Sequence, residues 1–313
     1  MKRRTFLQLG GAAIGMACAG PLLSATPGAA AAFGAARRYA ELPCGRIAYV
    51  EQGAGPAALF LHGAPLNSFQ WRGVLPLLAP QRRCIAPDFM GLGYSIVPAQ
   101  QALDAGAQAH MLAALLEKLG VDSADIVASD SGGAVAQLFL ARYPERVRSM
   151  LLTNCDVETD SPPAAIGPVI GMARAGTLAD MTAAWLTDRA LARSTFGAAV
   201  FHDPAQLADE TIDYYVTPLV SSPLRRRQYH DFHLALEPNP LLGVEAALRR
   251  SRVPVRMVWG TADTIFPLAD AQYLDRVFAH SRGIRQVAEG KLFFQEEFPA
   301  VIAEEALRLW HPA

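Results

Sequence analysis

The reactive chemistry of this chain is concentrated in one short run, Ile126-Val127-Ala128-Ser129-Asp130-Ser131-Gly132-Gly133. An apolar strand ends there, small residues flank a reactive side chain, and a helical pattern begins. Such a bend holds a nucleophile in a strained backbone conformation, and small neighbours two positions to either side let the chain pass. Two registers fit. Ala128-x-Asp130-x-Gly132 puts a carboxylate at the apex, and Ser129-x-Ser131-x-Gly133 puts a hydroxyl there. A carboxylate at the apex attacks an electrophilic carbon and forms an ester with the protein. An activated water must then release that ester. A purely local reading also exists, in which Asp130 caps the next helix.

The elements that must hold this bend are legible in the apolar pattern. Ile47 to Glu51, Ala57 to Leu61, Arg83 to Ala86, Ala124 to Ala128, Val147 to Thr153, Val255 to Trp259 and Ile284 to Val287 read as strands. Ala105 to Leu119 and Gly133 to Tyr143 carry apolar residues at helical spacing. Strands that are apolar on both faces and separated by helices imply a mostly parallel sheet flanked by helices. The alternation stops between residues 157 and 241, where helical pieces and prolines occur without a strand. That stretch reads as a helical lid over the carboxyl ends of the strands, where open α/β sheets bind ligands. The core is then 37–156 and 242–313.

Composition narrows the function. With 313 residues, 51% hydrophobic and 18% charged, the chain can build one large core plus a modest insertion. A net charge of -1 gives no basic face for nucleic acid. The run Arg225, Arg226, Arg227 reads as a solvated helix face. Gly53-x-Gly55 and Gly91-Leu92-Gly93 are too short to cradle phosphates, and no metal motif is evident, so no cofactor is expected. The partner is a small-molecule substrate. Of the four cysteines, Cys84 and Cys155 read as packing residues in strands, with one disulfide as the alternative.

The start Met1-Lys2-Arg3-Arg4-Thr5-Phe6-Leu7 leads into a Gly/Ala-rich apolar run and then a small-residue stretch. This order is a secretory signal, with cleavage expected between Ala29 and Ala36. The Arg3-Arg4 pair resembles a twin-arginine signal. Residues 1–36 are therefore expected to be a leader, and the mature protein periplasmic or secreted. No later stretch is apolar and long enough to span a bilayer.

Beyond the bend, the chain carries Phe60-Leu61-His62-Gly63-Ala64-Pro65, then Ala86-Pro87-Asp88-Phe89-Met90-Gly91-Leu92-Gly93-Tyr94-Ser95, and Trp259-Gly260-Thr261-Ala262-Asp263. In this order, with the Asp130 bend, they resemble the epoxide hydrolase and haloalkane dehalogenase branch of the α/β-hydrolase superfamily, over nearly the whole chain from about residue 40. The resemblance implies an α/β-hydrolase fold. It also favours the Asp130 register, because Tyr143-Pro144-Glu145-Arg146-Val147 sits at the family's offset from the nucleophile. It implies an oxyanion hole from the backbone N–H groups of Ala64 and Ser131. Asp263 takes the position of the acid, with Asp156 as the alternative. Tyr215 and Tyr229 are the lid tyrosines that would protonate an epoxide oxygen. His62 buttresses the oxyanion loop.

Three departures matter. Dehalogenases of this family carry a side-chain amide at the position of Ala64 and a tryptophan at that of Ser131, so halide abstraction is disfavoured. Aligned on Gln295-Glu296-Glu297 and Pro299, the family's histidine position holds Leu292. Leucine cannot take a proton. Three functions are then open. One is a hydrolase of a small apolar, ester-like or epoxide-like substrate, with Asp263, Glu296 or His233 activating water. The second is a lyase or isomerase with Asp130 as general acid or base. The third is a silent binding protein that keeps the pocket.

Overall fold

The computed structural model describes residues 28–311. Among them, eight strands form one sheet. They are β1 (Arg38–Leu42), β2 (Gly45–Gln52), β3 (Ala57–Leu61), β4 (Arg83–Pro87), β5 (Ala124–Asp130), β6 (Val147–Cys155), β7 (Val255–Gly260) and β8 (Ser281–Val287). Their order is β1-β2-β4-β3-β5-β6-β7-β8. The β1–β2 and β2–β4 pairs are antiparallel, and every other pair is parallel. β3 and β5 are buried at every position, as central strands covered on both faces must be. The expected strands are all present. β1 was not expected, because only its Ala40 is fully buried and an edge strand of this kind carries no apolar run.

The flanking helices include α1 (Ala29–Ala35), α2 (Ala105–Lys118) and α3 (Ser131–Arg142). α2 starts where the Asp104 carboxylate accepts the Ala107 N–H at 3.0 Å, an N-cap that satisfies an otherwise orphaned donor. After β6 the sheet pauses. Helices α4 (Gly167–Arg174), α5 (Leu178–Ala184), α6 (Asp209–Val220) and α7 (Pro223–Leu234) form the insertion, before α8 (Leu268–Val277) and α9 (Pro299–Trp310) complete the core. A π-helical turn, Arg193–Gly197, lies within the insertion, and such turns recur near functional sites.

Arg225 corrects one expectation. Its guanidinium does not lie on a solvated face but donates to the carbonyls of Gly93 at 2.7 Å, Ser95 at 3.1 Å and Pro218 at 3.0 Å. It fastens α7 to the loop after β4. Cys44, Cys84 and Cys155 are free thiols.

The leader expectations fall largely on residues 1–27, outside the described residues. Of the described residues, those from Gly28 to Arg37 pack against the body. In α1 the Phe33 ring is buried edge-on against Phe69 at 5.2 Å and Tyr214 at 6.1 Å. The Gly28 N–H donates to Glu210, and the Arg37 guanidinium stacks 3.3 Å over Tyr94. An aromatic slot beside α6 holds residues that composition alone assigns to a leader. No described helix is long and apolar enough to cross a membrane.

Candidate active site

β5 runs straight into α3, and the residue between them is Asp130 at φ 55, ψ -135. Among the described residues it is the one non-glycine with positive φ. Positive φ costs an ordinary side chain energy, so the strain marks Asp130, and not Ser131, as the apex. Three glycines allow the bend. A Cβ on Gly132 would stand 2.6 Å from the His62 carbonyl, one on Gly133 2.3 Å from the Cys155 Cβ, and one on Gly63 2.5 Å from the Asp130 Cβ. The Ser131 N–H donates to Asp130 Oδ1. The Ala64 N–H has no protein acceptor among the described residues. Beneath the bend, the Gln295 amide donates to the hydroxyls of Ser129 at 2.5 Å and Thr153 at 2.9 Å.

Asp130, Ser131, Ala64 and Asp156 line a cavity of about 460 Å³ between sheet and insertion. Its walls are mainly apolar, with Ile166, Met172, Met181, Phe196, Ile265 and Leu292 among them. Tyr229, Thr182 and His233 supply polar groups from the lid. The Tyr229 and Thr182 hydroxyls are 3.2 Å apart.

Burial controls the titration of these groups, because a charge loses its hydration there. The Asp130 carboxyl is pushed up to about 8, first by burial and then by the negative charge of Asp156. Burial pushes Asp156 up to about 6. His233 is held down to about 4 by burial, so it is neutral at pH 7. Its Nδ1 lies 2.9 Å from the Tyr229 carbonyl, which makes Nδ1 the protonated nitrogen of that neutral ring.

The other expected residues divide clearly. Asp263 follows β7 at the same edge of the sheet but does not line the cavity. Its carboxylate accepts from Asn154 at 2.8 Å, Ile265 N at 3.0 Å and Phe266 N at 3.3 Å. His62 lies fully buried beside the oxyanion loop. Its Nε2 accepts the Phe89 N–H at 2.9 Å, and Nδ1 lies 2.9 Å from the Gly63 carbonyl.

Two expectations are corrected. Tyr215 does not reach the cavity that holds Asp130; its hydroxyl donates to Glu296 at 2.7 Å. Glu296 is not placed to activate water either, because Arg72 pairs with it at 2.5 Å in a buried contact. Tyr215 accepts from Arg72 at 3.2 Å as well, so it belongs to that ion pair, while its neighbour Tyr214 accepts from Arg37 at 2.5 Å. The structural roles of Gln295 and Asn154 were not read from the sequence, because buried amides carry no periodic signal.

The sheet order, the strained aspartate between strand and helix, and the helical insertion over the strand ends define an α/β-hydrolase fold protein. The chain belongs to the α/β hydrolase fold family, which it matches over residues 56–298. Its similarity runs to haloalkane dehalogenases and to an epoxide hydrolase. Haloalkane dehalogenase 2 of Mycobacterium tuberculosis is 26% identical over 296 residues, spanning 85% of this chain and 92% of that protein. A loop variant of the haloalkane dehalogenase DbeA from Bradyrhizobium elkanii is similar at TM-score 0.70 and 26% identity, over 88% of this chain and 96% of that one. The epoxide hydrolase CorEH, at TM-score 0.72 and 24% identity over 88% and 98% of the two chains, shares the fold.

Proposed function

We propose that this chain is an exported hydrolase in which Asp130 is the nucleophile toward a small apolar electrophile, an epoxide in preference to a haloalkane. The observation that carries the reading is Asp130 at a strained bend, opening into a mainly apolar cavity of about 460 Å³. The Asp130 carboxylate attacks a ring carbon, the carbon–oxygen bond opens, and the ring oxygen takes a proton. The Tyr229 hydroxyl, on the cavity wall, is the donor this reading favours. The N–H groups of Ala64 and Ser131 then stabilise the oxyanion formed when water attacks the ester, a large contribution in acyl chemistry. Neither Ala64 nor Ser131 has a side-chain N–H to hold a departing halide.

The test offers purified protein aliphatic and aromatic epoxides and 1-bromoalkanes, in H₂¹⁸O. The expected results are diol formation, a transient mass adduct mapping to Asp130, and ¹⁸O in the Asp130 carboxyl after one turnover. Neither product nor adduct from any substrate, with Asp130→Asn behaving as wild type, sinks the reading.

One observation favours a second reading. With its carboxyl held up to about 8, Asp130 carries a proton at neutral pH and is able to serve as a general acid without forming an ester. Product without any adduct or ¹⁸O on Asp130 selects this reading. Export through the twin-arginine route is part of the first proposal. Replacing Arg3-Arg4 by Lys-Lys should leave the protein in the cytoplasm, and unchanged export would exclude that route.

A further inference from the structure

We propose that Asp156 is the general base that activates water against the Asp130 ester, a role that Leu292, at the position of the family's histidine, cannot fill. This rests on Asp130 being the nucleophile. β5 and β6 pair in parallel with Asp130 opposite Cys155, so Asp156 leaves the sheet one residue beyond the partner of Asp130. Both acids line the same cavity. The Asp156 side chain is fixed on one side only. Its Oδ1 accepts the Ser161 hydroxyl at 2.8 Å, and its carbonyl accepts the Gln137 amide at 2.7 Å. Its Oδ2 accepts no hydrogen bond from another described residue, which leaves a lone pair for water.

The competing groups are less suited. Asp263 is saturated by Asn154 and two backbone N–H groups. Glu296 is occupied by Arg72 and Tyr215. His233 lines the cavity from the lid, but burial makes it a weak base. Asp156 is a stronger base and is still ionised at neutral pH, close to the optimum for proton transfer.

The step balances. Water oxygen bonds to the ester carbonyl carbon of Asp130 while Asp156 takes one water proton. The tetrahedral intermediate collapses and breaks the acyl carbon–oxygen bond. The departing alkoxide takes the proton from Asp156, leaving an alcohol and the Asp130 carboxylic acid, which loses its proton to solvent.

The groups around Asp156 that bear on its titration are Asp130 on β5, Asp160 on the following turn, Asp270 on α8, and His233 on α7 across the cavity. Burial raises Asp156 first and the negative charge of Asp160 adds to it, against the Ser161 hydrogen bond that lowers it, so its charge state is tested directly.

The experiment follows decay of the Asp130 adduct by intact mass after a single addition of styrene oxide, from pH 5 to 9. Wild type, Asp156→Asn, Asp156→Glu and His233→Gln are compared. Asn keeps an oxygen for Ser161, and near-equal Tm values establish that the variants fold. The expected result is an adduct that persists at least 100-fold longer in Asp156→Asn, partial rescue by Asp156→Glu, and a clearly smaller effect in His233→Gln than in Asp156→Asn. The rise of wild-type decay with pH, centred near 6, should vanish in Asp156→Asn. Decay at the wild-type rate in Asp156→Asn, or an adduct that wild type itself never releases, overturns Asp156 as base and leaves Asp130 as nucleophile. No adduct in any variant overturns the nucleophile and this assignment with it.

Discussion

Asp130 and Asp156 stand at the ends of neighbouring parallel strands, and the charge of Asp156 is the largest electrostatic influence on the Asp130 carboxyl after burial itself. Two carboxyls sharing one apolar chamber resist ionising together. Ester formation requires the Asp130 carboxylate, so its rate should climb with pH up to about 8 and then level off. In Asp156→Asn the midpoint should move to lower pH, because a neighbouring negative charge has gone. Initial rates of adduct formation across pH measure both midpoints, and an unchanged midpoint would count against the coupling.

The same burial bears on stability. Unfolded, Asp130 ionises near 3.8; folded, it does so near 8. A raised acid costs nothing below the lower value, and the cost grows between the two as the unfolded chain alone gives up its proton. Asp130→Asn should therefore be more stable than wild type at pH 9 by on the order of 2–4 kcal/mol, and nearly equal at pH 3.5. Urea melts at the two pH values give the difference.

Leu292 is buried against the cavity that Asp130 opens into. A histidine there has a similar volume and adds a proton acceptor. Leu292→His should speed release of the Asp130 ester by roughly 100-fold, the lower end for a positioned base. Single-turnover decay of the adduct reads this, and a slower decay would argue against the placement.

Gly133 packs directly on Cys155, where a new Cβ would stand 2.3 Å from the Cys155 Cβ. Gly133→Ala should lose about 3 kcal/mol through overpacking. Adding Cys155→Gly removes the atom it strikes, and the double variant should regain part of that loss. A double variant less stable than the sum of the singles would show that the clash lies elsewhere.

Phe33 fills an aromatic slot formed by Phe69 and Tyr214. A chain starting at Gly28 keeps this helix. One starting at Arg37 should lose about 2 kcal/mol, the burial of one aromatic ring. Equal Tm values for the two truncations would mean that the helix contributes nothing.

Much of this arrangement is legible in the residues themselves. β3, β5 and β6 announce themselves because each is buried on both faces and so carries an apolar stretch, Ala57–Leu61, Ile126–Ala128 and Met150–Leu152. The bend declares itself through Gly132 and Gly133, which a close carbonyl and a close thiol require. What stays hidden depends on contacts between distant residues. Tyr215 and Tyr229 are equivalent as lid aromatics, and only tertiary packing sends one to Glu296 and the other to the cavity. Arg225 reads as solvated because a run of three arginines usually is, yet three carbonyls from other segments claim it. Phe33 sits in an alanine-rich stretch whose composition matches a cleavable leader, and its slot is built by residues far along the sequence.

The hydrocarbon lining of the chamber also bears on what happens after the reaction. Opening an epoxide replaces one ether oxygen with two hydroxyls, and each hydroxyl loses water when it stays inside. Polar side chains are a minority of that lining. The diol is thus drawn out toward bulk water by its own hydration, while the oily reactant partitions inward. Accumulating diol should compete poorly for the chamber, and the enzyme should run to completion with little inhibition by what it makes.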